Sequence, residues 1–149
     1  MSVIGIDPGM SGGIALIKDG STVVAKMGVT ERDTYDILQS YAEHDKPFAY
    51  IESVHSMPKQ GVASSFKFGV NYGLLRGMLI AIGIPFETVT PLSWQRYLRC
   101  QSKGDKNVTK AKAQELFPHI KVTHSTADAL LIAEYGRRIN GTVNGNSDS

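Results

Sequence analysis

Residues 3–27 hold three strand-like runs with almost nothing between them, and so short a spacing leaves few folds open. The runs 3–7, 13–18 and 22–27 are rich in Val and Ile, and Asp19-Gly20 between the last two is a tight-hairpin signal. They predict an antiparallel meander, the strands being too close for the crossover that a parallel pair requires. Downstream the pattern changes. Thr30 with Asp33 has capping-box spacing before a helix reaching about residue 44, PFAYIE (47–52) is a short buried strand, and a long helix covers about 64–82. Residues 86–89 predict a further strand, 92–98 a short amphipathic helix, 109–117 another helix and 125–139 the last. A meander followed by alternating helices and strands predicts an α/β fold, a mixed sheet with helices on its faces. The chain reads as one domain, 1–140, followed by a polar tail, 141–149, predicted to be disordered.

The first strand raises a question of chemistry. VIGIDPGMSGGIALI breaks an apolar run with Asp7, just ahead of a Pro-Gly turn. Asp can start such a turn simply by bonding its own downstream backbone. A functional reading needs other carboxylates that could reach the same pocket, and two are available. Glu52 ends the strand PFAYIE, and Asp128 sits in the first turn of the last helix in HSTADALLIAEYG. Asp128 also has capping-box spacing from Ser125 and suits the helix dipole, neither of which prevents it from facing a pocket. In an α/β architecture neighbouring strand ends and a helix N-terminus can converge. Three carboxylates in one small space raise each other's pKa, and a divalent cation keeps them ionised. Oxygen ligands select Mg²⁺ or Mn²⁺.

Composition narrows the partners. With Cys100 as its one cysteine, the chain has no intrachain disulfide and no Cys-based zinc site, which points to a reducing cytoplasm. No basic leader precedes the first strand, and the longest apolar helix pattern is interrupted by Lys67, Asn71 and Arg76, so a soluble intracellular protein is expected. The net charge is only +2, but residues 88–121 carry seven Lys or Arg against two acids while the remainder stands at −3. A basic face beside an acidic pocket suits a polyanion; a solvated helix face is the plainer alternative.

The segments IGIDPGMSGGIAL, AYIESV and STADALLIAEYG resemble the acidic motifs of RuvC-like Holliday junction resolvases, of the RNase H-like superfamily, over about residues 3–139. The short chain, and TPLSWQRYL followed by a Lys-rich loop and KAKAQELFP, look more like the compact phage-encoded branch. The resemblance implies an RNase H-like mixed five-stranded sheet flanked by helices, a homodimer, and paired symmetric nicks in four-way DNA junctions that leave 5′-phosphates. It matches Asp7, Glu52 and Asp128 to the family's metal ligands, with Asp7 bridging two Mg²⁺ ions that Mn²⁺ can replace. The family places a second Asp or a His three residues before the last Asp, where this chain has Ser125. His124, at i−4, lies near the helical face of Asp128 and is the candidate for the fourth ligand or for positioning the water, with Ser125 as N-cap.

Lys103, Lys106, Lys110 and Arg99 are the candidate phosphate contacts, Lys106 and Lys110 flanking a helix start. His55 stands where the resemblance places a base-contacting aromatic, and a solvated loop histidine is the alternative. Trp94 reads as packing, not as a base platform. Gly69, Gly73 and Gly77 recur every fourth residue inside one helix. Three interior glycines cost about 2–3 kcal/mol relative to alanine, which close packing must offset. Their partner is either the chain's own sheet or, as the resemblance implies, a dimer seam with Phe66, Val70, Leu74 and Met78. Three other readings compete. DPGMSGG resembles the phosphate loop of actin-like and sugar kinases, which need two such domains. RNase H-like nucleases of ribosomal RNA processing share the first motif. A module that grips branched DNA without cutting predicts binding with no metal-dependent nicking.

Overall fold

The computed structural model describes residues 1–43, 45–53 and 61–147, with side chains as far as residue 141. β1 (Ser2–Asp7), β2 (Gly13–Lys18) and β3 (Ser21–Lys26) form the expected meander, β2 pairing antiparallel with both neighbours. Asp19 and Gly20 both take left-handed backbone conformations (φ 43° and 84°), as a two-residue hairpin turn demands. α1 (Glu31–Ala42) leads to β4 (Phe48–Glu52), which runs parallel to β1; α2 (Val62–Ile82) leads to β5 (Phe86–Val89), parallel to β4. The sheet order is β3-β2-β1-β4-β5, with β1 central. α3 (Pro91–Tyr97), α4 (Lys106–Leu116) and α5 (His124–Ser147) complete the chain. The capping box of α1 is present: Asp33 N–H donates to Thr30 Oγ1 at 3.1 Å and Thr30 N–H to Asp33 Oδ2 at 3.2 Å.

Alternation along the strands sorts the core into two layers. Ile4, Ile6, Ile14, Ala49 and Ile51 pack with Leu38 of α1 and with Leu75 and Leu79 of α2. Val3, Ala15, Ile17 and Tyr50 face the other way, against Trp94 of α3 and Ala129, Leu130 and Ala133 of α5. Asp7 shares the parity of Val3, and Glu52 that of Tyr50, so both carboxylates emerge on the α5 side. In the β1–β4 register Ile6 pairs with Ile51, which leaves Asp7 and Glu52 as the next residues of adjacent strands. Gly5 sets how close α5 can come: a Cβ there would fall inside the backbone of Ala129 and Ala133. Its absence lets α5 lie directly on β1.

Two expectations are corrected. The first concerns α5, which begins at His124, so Ser125 is not its N-cap; the turn is closed by Thr123, whose N–H donates to Thr126 Oγ1 at 3.1 Å. The helix continues to Ser147. The glycine stripe of α2 has two candidate partners, the chain's own sheet and a dimer seam. Nothing lies within 4 Å of where a Cβ would sit at Gly69, Gly73 or Gly77, so the chain's own sheet is not their partner. Met78, expected beside the stripe, instead packs half-buried into the inner layer. No helix among the described residues is long and apolar enough to cross a membrane.

Candidate active site

β1 delivers Asp7 at its C-terminal end, and the Pro8-Gly9 turn that follows folds back at once: Gly12 N–H donates to Gly9 O at 3.0 Å. Gly9 has φ 103°, a conformation open to glycine and strained for other residues. Its N–H donates to the buried Asn71 Oδ1 at 2.7 Å, pinning the turn to α2. Asp128 comes from the first turns of α5 and faces the same opening. Together with His124, Lys106, Thr109 and Phe68 these two carboxylates line a cavity of about 310 Å³ under the turn. Glu52 does not line that cavity. It stands at the neighbouring strand end, where its Oε2 accepts a hydrogen bond from Trp94 Nε1 at 2.7 Å.

The three acids nonetheless sense one another. Burial pushes the Asp7 carboxyl well above the usual range, and the charges of Asp128 and Glu52 add to the rise while Lys106 opposes it. Burial also lifts Glu52 to about 7, against the lowering hydrogen bond from Trp94 and with a further push from Asp128. Asp128 is raised by burial, restrained by a hydrogen bond from Thr109 and by the charges of Lys106 and His124. Among the described residues, no three His, Cys, Asp or Glu side chains are gathered closely enough to enclose an ion. The fit to a metal therefore rests on donor chemistry. Three half-buried carboxylates offer only oxygen, and a hard divalent cation is what would let them ionise together.

The basic residues separate. Lys106, the first residue of α4, turns into the acidic cavity instead of lining an outer face with its neighbours. Lys110 is half-buried one turn further along α4. Arg99 and Lys103 are exposed on the α3–α4 connection, both with left-handed backbones (φ 57° and 49°). His124 is exposed at the cavity edge, at the i−4 position expected of it. His55 lies outside the described residues. Sequence reasoning missed Phe68, Thr109, Asn71 and the bond made by Trp94. Only Thr109 carried a signal, since it lies on the helix that begins at Lys106, three residues on; the others depend on contacts between distant segments.

No protein-family model matches the chain, and no curated protein matches it in sequence. Solved structures do. RuvC of Thermus thermophilus in complex with a Holliday junction substrate superposes with a TM-score of 0.61 at 16% identity, over 93% of this chain and 96% of that one. A second structure of Thermus thermophilus RuvC gives a TM-score of 0.61 at 17% identity, over 94% and 97%. A mixed five-stranded sheet with helices on both faces, superposing on RuvC along nearly its whole length, gives this chain a RuvC-like fold of the RNase H-like kind.

Proposed function

We propose that this chain is a metal-dependent endodeoxyribonuclease of the compact phage-encoded RuvC type, resolving four-way DNA junctions by paired symmetric nicks in the cytoplasm of a bacterial or phage-infected cell. The observation that carries the reading is that Asp7 and Asp128 face one cavity on the α5 side of a RuvC-like sheet with Glu52 at the adjacent strand end, the charges of Asp128 and Glu52 both raising the pKa of Asp7. A similar fold bound to a Holliday junction substrate supports the substrate class.

In this reading Asp7, Glu52 and Asp128 would hold the ions, and His124 would supply a fourth ligand or hold the attacking water. Two Mg²⁺ ions, or Mn²⁺ in their place, would lower the pKa of that water and offset the charge on the leaving 3′ oxygen. Lys106, inside the cavity, neutralises the phosphate being cut. Arg99, Lys103 and Lys110 hold flanking phosphates, so affinity falls with added salt and carries little sequence information.

A homodimer is supported by α2. Val62, Phe66 and Ile80 are 88%, 72% and 69% exposed, and with Val70 they flank the open glycine stripe along one helical face. A two-fold dimer joined there presents two cavities to a two-fold junction. The test is cleavage of a labelled four-way junction beside plain duplex, in Mg²⁺, Mn²⁺ and Ca²⁺. Symmetric nicks in the junction alone, with Mg²⁺ or Mn²⁺ and not Ca²⁺, are expected. Tight binding without nicking would make it a junction-binding module, and cutting confined to structured RNA would move it to ribosomal RNA processing.

A further inference from the structure

Trp94 is the only tryptophan of the chain and is fully buried. Packing alone asks nothing of its ring nitrogen, yet Nε1 donates to Glu52 Oε2 across 42 residues of sequence. An indole N–H can only donate, and once buried it needs an acceptor. The acceptor here is a carboxylate of the candidate metal centre.

The backbone leaves this contact little freedom. Val89, the last residue of β5, pairs in register with Glu52, and Ser53 N–H donates to Val89 O at 2.7 Å. Thr90 follows as N-cap, its Oγ1 accepting from Ser93 N–H at 3.1 Å, and Pro91 opens α3. Trp94 is therefore placed one helical turn beyond the Thr90 cap, which directly follows the residue that pairs with Glu52. The ring is wedged in the same layer as Val89, Leu98 and Ala127. A glutamate at a strand end would otherwise sample several rotamers, and ordering it on binding weakens affinity.

Resting on the reading of Glu52 as a metal ligand, we propose that Trp94 is a positioning residue: its indole N–H holds one oxygen of Glu52 and so presents the carboxylate to the ion in a single orientation. Trp94 touches neither the ion nor DNA. Its role is to remove the disorder that Glu52 would otherwise lose on each binding event. Partners of this kind set metal affinity in sites where ligand and partner are hydrogen-bonded.

The test replaces Trp94 with 3-benzothienylalanine, which keeps the bicyclic shape and exchanges the N–H for sulfur, with Trp94→Phe as a second variant. Mn²⁺ affinity is read by electron paramagnetic resonance of the free ion. We expect a loss of about tenfold in both variants, with metal-free junction affinity unchanged. In a Glu52→Gln background the same replacements should change Mn²⁺ affinity by less than about twofold, since the group being positioned is gone. In the wild-type protein the lone indole adds a second signal, a saturable quenching by Mn²⁺ with the same midpoint as the resonance titration. Affinity within twofold of wild type for the benzothienyl protein overturns the proposal, as does a wild-type protein that binds no Mn²⁺. A tenfold loss in a protein that nicks no junction supports the role of Trp94 and overturns the nuclease reading instead.

Discussion

Replacing Glu52 with glutamine should make the metal-free protein more stable at pH 8 while abolishing its activity. The carboxyl titrates at about 7 in the folded chain against an ordinary 4.5, with burial the largest cause. A group whose folded pKa is raised binds its proton more tightly in the native state. Its contribution to stability is thus complete below about pH 4.5 and is lost as pH rises through about 7. At about 1.4 kcal/mol per pH unit, ionised Glu52 costs the fold about 3 kcal/mol at pH 8. Glutamine is neutral throughout and can still accept from Trp94, and the charge-assisted part of that bond is already contained in the folded pKa of about 7. The net expectation is a gain of about 3 kcal/mol at pH 8 and almost none at pH 4.5, where wild-type Glu52 is largely protonated. Urea unfolding of both proteins in excess chelator at the two pH values measures it. In thermal unfolding at pH 8 the gain should appear as an increase in Tm of about 6–12 °C. A wild-type minus variant difference that does not change with pH would refute the account of a buried, repelled carboxylate. Added Mn²⁺ should then reverse the order at pH 8, since only the wild type gains the full binding free energy.

Asp7→Asn and Asp128→Asn should each abolish nicking and leave junction binding in place; wild-type turnover in Mg²⁺ by either removes that residue from the ligand set. Gly5→Ala should cost about 3 kcal/mol or more, because its Cβ would meet the backbone of α5 and force the helix off β1; a wild-type urea midpoint would show that α5 is not seated there. Gly73→Leu should leave the monomer's stability nearly unchanged, since open space surrounds that position, but separate the dimer in sedimentation; a stable dimer would reject α2 as the seam. His124→Ala should slow single-turnover cleavage tenfold or more, about 1.4 kcal/mol in the barrier, and rates within twofold of wild type in both Mg²⁺ and Mn²⁺ would leave water as the fourth ligand.

Local regularities were enough to place most of the fold and to set Asp7 and Glu52 of the candidate site on one face of the sheet. Period-two runs with a Gly turn between them dictate the meander, Thr30 and Asp33 mark the start of α1, and the alternation that buries Val3 and Tyr50 on one face obliges Asp7 and Glu52 to share it. Each of these is an interaction between near neighbours, or a parity that any strand obeys. Other features were decided only when distant segments met. The indole of Trp94 reads as plain core until β5 brings it beside Glu52, and Phe68 and Asn71 join the site only because α2 packs under the Pro8-Gly9 turn. The glycines divide in the same way. At Gly5 α5 packs backbone to backbone, whereas Gly73 faces open space, although both are equally bare in the sequence. A residue's conformational preference is its own, but what its side chain or missing side chain touches belongs to the packing of the whole chain.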